Sequence, residues 1–129
     1  MNSIDILKNN NLKVTKQRIE ILDMINILGL NSSIKNISSK ITDMDKSTIY
    51  RILNILYENG ILEKIIGKDN QIIYVISDEH KHYMKCLKCG SIQEIDKCPF
   101  DDNKNNSNIN GFKVIRHSLI IEGICKNCQ

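Results

Sequence analysis

A chain of 129 residues with 18 Lys and Arg against 15 Asp and Glu has a formal net charge of +3. That length allows one domain or two very small ones, and the mild basic excess suits a nucleic-acid partner without demanding one. No apolar run is long enough to cross a bilayer, and the opening MNSIDILKNNNLK lacks a signal peptide's apolar core and cleavage site. A cytoplasmic protein with no membrane partner is therefore expected.

The first half reads as helical. From Thr15 to Gly29, Ile21, Leu22, Ile25 and Leu28 recur at helix period, with Thr15 as N-cap and Gly29 as stop. A shorter helix is expected over Ile34 to Ile41. A third follows Asp45, a good N-cap, and ends at Gly60. Its apolar stripe is Ile49, Ile52, Leu53 and Leu56, and its opposite face carries Lys46, Ser47, Tyr50, Arg51 and Asn54. Two β-rich stretches, ILEKIIG and QIIYVIS, are separated by the turn-forming KDN. Helix, helix, hairpin is the order of a winged helix-turn-helix.

Near His80 the character changes, which places a domain boundary near Ser77–Glu79. The expected organisation is a DNA-binding unit over 1–78 and a metal-binding dimerisation unit over 79–129. Short strands are expected at KHYMKC, SIQEI and FKVIRHSLIIEGI. The polar DDNKNNSNING between the last two reads as a loop or a weak helix.

Stable disulfides are not expected in a reducing cytosol, so the five cysteines need another account. Four form two C-x-x-C pairs, Cys86/Cys89 and Cys125/Cys128. Each presents two thiolates on a tight turn, and two such pairs supply the four sulfurs of a closed tetrahedral zinc site. Such a zinc is structural, one per chain, because four thiolates leave no position open for a substrate. Cys98, before Pro99, fits no ligand position and reads as a free thiol, with redox sensing the minor alternative.

LKVTKQRIEIL, DKSTIYRILNILYENGIL, CLKCGSIQEI and HSLIIEGICKNC together, in this order and spacing, resemble the ferric uptake regulator family from Leu12 to Cys128. The resemblance implies a metal-dependent transcription regulator, usually a homodimeric repressor. It implies an α+β fold, with an N-terminal winged helix and a small C-terminal α/β dimerisation domain holding structural zinc. It implies DNA contacts by Tyr50 and Arg51 on the recognition helix and by Lys13 in the minor groove. Thr15, Gln17, Arg18, Ser47 and Thr48 become candidate backbone contacts. From position alone, Arg51 is equally well a solvated surface charge.

The family's usual sensing positions map to Asn31, Tyr74, Lys81 and Tyr83, none a good ligand. A second family site maps to His80, His82, Asp101 and His117, all able to bind a divalent metal such as Zn2+, Fe2+ or Mn2+. Strand parity agrees: His80 and His82 share one face, Lys81 and Tyr83 the other. A bulge near Met84 would exchange these faces. Glu94 falls at a family acidic position, where it either supports a ligand from behind or is a strand-surface charge.

The leading expectation is a metal-responsive repressor that binds a double-stranded operator as a homodimer. The alternatives are a constitutive DNA-binding regulator whose metals are purely structural, and a peroxide- or redox-responsive regulator. A zinc hydrolase is disfavoured, because no water position or general base accompanies the ligands.

Overall fold

The computed structural model describes residues 2–77, 81–95, 108–114, 117 and 119–129. The chain divides into two compact units, Met1–Glu79 and His80–Gln129.

The first unit opens with α1 (Ser3–Asn9), which the sequence reading did not anticipate. Asn2 caps it by accepting from the Asp5 N–H at 2.9 Å. Ile6 and Leu7 are buried, and the Ser3 hydroxyl donates to Asp23 Oδ1 on the next helix at 2.5 Å. That helix, α2 (Lys16–Leu28), starts where the Thr15 side chain accepts from the Arg18 N–H, and it buries Ile21, Leu22 and Ile25. Gly29 ends it at φ +57°, a conformation that costs a residue with a Cβ. Carbonyls left open at its end are taken up by the Ser32 hydroxyl, which donates to Ile25 O and Gly29 O. Ser33 caps α3 (Ile34–Lys40), and Asp45 caps α4 (Lys46–Glu58).

The stripe of α4, Ile49, Ile52, Leu53 and Leu56, is buried against Ile21, Leu22, Ile25 and Ile37 in one core. Each such side chain contributes about 1.5–3 kcal/mol by leaving water. The wing is an antiparallel hairpin of β1 (Leu62–Ile66) and β2 (Ile72–Ile76), in register from Leu62↔Ile76 to Ile66↔Ile72. Its turn, Lys68–Asn70, has Asp69 and Asn70 at positive φ, which these two residue types tolerate well. An isolated bridge, Ser33↔Ile73, and a bond from the Tyr74 N–H to Ser32 O tie the wing to the start of α3.

The second unit is a three-stranded sheet of order β4-β3-β7, with β3 (His82–Cys86) central, β4 (Ile92–Ile95) antiparallel to it and β7 (Ile120–Gly123) parallel. The register is unbroken from His82↔Ile95 to Lys85↔Ile92, and from Tyr83↔Ile120 to Cys86↔Gly123, so no bulge interrupts β3 at Met84. One expected strand is corrected. FKVIRHSLIIEGI is not a single strand among its described residues. Phe112–Lys113 (β6) instead closes a small hairpin with Asn108–Ile109 (β5) across Asn110 and Gly111, both at positive φ. The end of DDNKNNSNING is thus hairpin rather than loop or helix, an outcome that its Asn-Gly pair permits.

Candidate metal centre and nucleic-acid interface

Burying one face of α4 leaves the other to solvent. Lys46, Ser47, Tyr50, Arg51, Asn54 and Glu58 line a shallow groove along it. Tyr50 is 44% exposed, and Lys46, Ser47 and Arg51 are also exposed. Of the other expected DNA contacts, Lys13 and Gln17 are exposed, while four have work inside the fold. Thr15 caps α2. The Arg18 guanidinium donates to Lys13 O at 2.8 Å, which holds the loop that carries Lys13. Ser47 Oγ and the Thr48 N–H both donate to Asp45 Oδ1, at 3.1 and 2.8 Å. Hydrogen bonds from Thr48, then Ser47, with Arg51 nearby, hold the Asp45 carboxyl below its usual 3.8.

The four paired cysteines converge. Their sulfurs all lie within 4.8 Å of one another, and Cys89 Sγ is 3.8 Å from Cys125 Sγ. A zinc with Zn–S bonds of about 2.3 Å in a tetrahedron requires sulfurs about 3.8 Å apart, so this quartet fits the ion. Two turns build it. Gly90, at φ +77°, lets the chain fold back so that its N–H meets Cys86 O. The C-terminal turn closes with the Cys128 N–H on Cys125 O. The two halves are joined by the Leu87 N–H on Gly123 O and by Lys88 Nζ on Cys128 O.

The sulfurs are unequal. N–H groups of Cys89 and Cys125 donate to Cys86 Sγ at 3.4 and 3.3 Å, and such bonds bring its thiol down to about 6. Cys128 is pushed up to about 12 by its thiol neighbours, Cys125 first and then Cys89. Four thiolates cannot share this space without a cation, and a divalent metal is the charge that lets all four ionise.

His82 is 2% exposed, and its ring stacks on that of His117 with centroids 4.9 Å apart and an interplanar angle of 24°. The fold thus brings together two of the four residues expected for a second metal. His80 and Asp101 lie outside the described residues, as does Cys98. Glu94 pairs across the sheet with Tyr83, which puts it on the face opposite His82, and its carboxylate meets Lys81 Nζ at 3.3 Å. Sequence reasoning had flagged Lys81 and Glu94 separately but not their pairing, which depends on the β3–β4 register. It also missed the burial of Tyr74 and Tyr83, at 0% and 5% exposure. Their position in apolar strands was the available signal.

A winged helix with a free polar helix face, in one chain with a sheet closed by a thiolate quartet, defines a DNA-binding regulator stabilised by metal. The sequence model described as the ferric uptake regulator family matches residues 9–122, and the chain belongs to that family. It is a metal-responsive transcription regulator and not an enzyme. Similar proteins include the ferric uptake regulation proteins of Helicobacter pylori, 33% identical over 130 residues (95% of this chain, 86% of that protein), and Staphylococcus aureus, 30% identical over 132 residues (98% and 96%). Among solved structures, the Helicobacter pylori ferric uptake regulator, described as having three functional metal binding sites, is 29% identical. Its TM-score is 0.71, over 100% of this chain and 95% of that one. The ferric uptake regulator from Pseudomonas aeruginosa with manganese, at 20% identity, shares the fold with a TM-score of 0.78, over 98% and 99% of the two chains.

Proposed function

We propose that this regulator represses transcription as a cytoplasmic homodimer on a palindromic double-stranded operator. In this reading α4 enters the major groove with Tyr50 and Arg51 on bases and phosphates, Lys13 reaches the minor groove, and Thr15, Gln17, Arg18, Ser47 and Thr48 lie along the backbone. The Cys86, Cys89, Cys125 and Cys128 quartet holds one structural zinc per chain. His80, His82, Asp101 and His117 hold a second divalent ion, Zn2+, Fe2+ or Mn2+, which biases the protein toward its DNA-binding form. The supporting observation for this regulatory site is the contact between the His82 and His117 rings, made by residues from distant parts of the chain. Glu94, on the other face with Lys81, acts as a strand-surface charge. The chain divides functionally as 1–78 for DNA and 79–129 for metal and dimerisation, the latter matching where the compact units part. No helix among the described residues is long and apolar enough to cross a membrane.

The test is a DNA-binding titration of purified protein with Zn2+, Fe2+ and Mn2+ in turn, alongside the metal content per chain. Binding that rises with a second equivalent of one metal supports the reading.

A second reading keeps the DNA-binding role but makes the metals purely structural. The pairing of Lys81 with Glu94 and the burial of Tyr74 and Tyr83 favour it, since they put three of the family's usual sensing positions to other uses. It predicts equal DNA affinity with and without the second metal.

A further inference from the structure

The groove along α4 is bordered by an exposed carboxylate. Met1–Glu79 contains as many Asp and Glu as Lys and Arg, so this unit gains little from bulk attraction to phosphates. A negative group at the end of the helix that meets DNA makes that worse unless it has a use. Capping does not require the charge, because Asn or Ser caps a helix as well as Asp.

We infer that Asp45 is a specificity-determining residue, accepting a hydrogen bond from the exocyclic amine of one cytosine in the operator. The inference rests on α4 being the DNA-reading helix. An ionised carboxylate offers about four acceptor positions. The Thr48 N–H, the Ser47 hydroxyl and the Thr48 hydroxyl draw on it from within, which leaves capacity for a donor from outside. Those same bonds fix its orientation, so little side-chain freedom is lost on contact. In helix-turn-helix proteins the residues at the N-terminal end of the recognition helix reach base edges. Cytosine presents only its amine donor in the major groove, whereas adenine sets an acceptor beside its donor, and guanine presents acceptors. A carboxylate therefore prefers cytosine. Arg51, on the same groove, suits guanine.

The experiment uses metal-loaded, full-length protein and selection from a pool of randomised duplex DNA, for wild type, Asp45→Asn and Arg51→Ala. Asp45→Asn keeps the cap and the shape and removes the charge, and a thermal melt confirms folding. Asp45→Ser, another good cap, serves if the first variant melts early. The expected result is a cytosine preference of about tenfold at one position in wild type, lost in the Asp45 variant, with all other positions unchanged. Uniformly tighter binding with every preference intact would mean that the carboxylate only repels phosphate, and would overturn the inference, as would no change at all. The Arg51 arm separates the two layers. If Arg51→Ala binds as wild type does, the assignment of α4 fails. If Arg51→Ala weakens binding while the cytosine preference survives in Asp45→Asn, only the inference fails.

Discussion

Tyr74 shows how a single residue can be misplaced by sequence. It sits in β2 with 0% exposure, and its hydroxyl has no hydrogen-bond partner among the described residues. Burial, with Tyr50 nearby as a lesser cause, raises its pKa. A buried hydroxyl without a partner costs about 1–3 kcal/mol. Tyr74→Phe is accordingly expected to raise stability by about 1 kcal/mol in urea titration, with the metal response of DNA binding unchanged. A lower midpoint would mean that the hydroxyl is satisfied and useful. Asp45 gives the complementary case. Its folded pKa lies below 3.8, so its cap contribution is complete above that value and is lost as pH falls through the lowered one. Wild type and Asp45→Asn should therefore diverge least in strong acid and most near neutrality. Melting curves at several pH values check the sign.

At the scale of elements, what was legible follows from locality. Thr15, Asp45 and Gly29 mark helix ends through bonds a few residues long, and α2, α3 and α4 lie within a residue or two of where their stripes and caps place them. Helix α1 was missed because seven residues with two buried side chains make almost no periodic signal. The cysteine quartet was legible from spacing alone. The Lys81–Glu94 pair was not, since it needs a cross-strand register that only the assembled sheet supplies. Two elements of that sheet end in ligands: β3 ends at Cys86, and β7 is followed by the Cys125 turn. Cys86→Ser or Cys125→Ser is expected to lose about one zinc per chain and to loosen β3 from β7, since metal binding is folding energy in a unit with so small a core. Metal analysis and sedimentation of the two variants are the check. Full zinc with an intact dimer in either would remove the quartet's structural role.

For the whole molecule, charge is unevenly shared. The unit that carries α4 is balanced in basic and acidic residues, so the net +3 of the chain resides in the other. DNA affinity should then depend on salt through a few contacts. Removing Lys13 or Arg51 is expected to weaken binding and lower the slope of log affinity against log salt by about one each. Unchanged slopes in both would place the phosphate contacts elsewhere. His117→Ala should retain the sulfur-bound zinc while losing the second metal and most metal-dependent DNA binding, because a ligand shifts an equilibrium only by its differential affinity. Retention of the second metal would mean that the histidine pair is packing, not coordination. Loss of the metal with normal DNA binding would favour the constitutive reading.

The parallel pairing of β3 with β7 also sets a timetable. The first unit is built mainly from contacts between neighbours in sequence, which form quickly. The sheet cannot acquire its third strand until a strand far downstream returns alongside β3, closing a loop that separates Cys89 from Cys125 by 36 positions. Closing so long a loop is entropically costly and slow. On the ribosome, β7 and its cysteine turn emerge after everything else described, so the helical unit is complete before the thiolates can meet. Helical signal should therefore recover well before zinc is captured when the unfolded chain is diluted from denaturant, and the newborn protein passes through a stage in which it has a finished DNA-reading face but no closed metal centre.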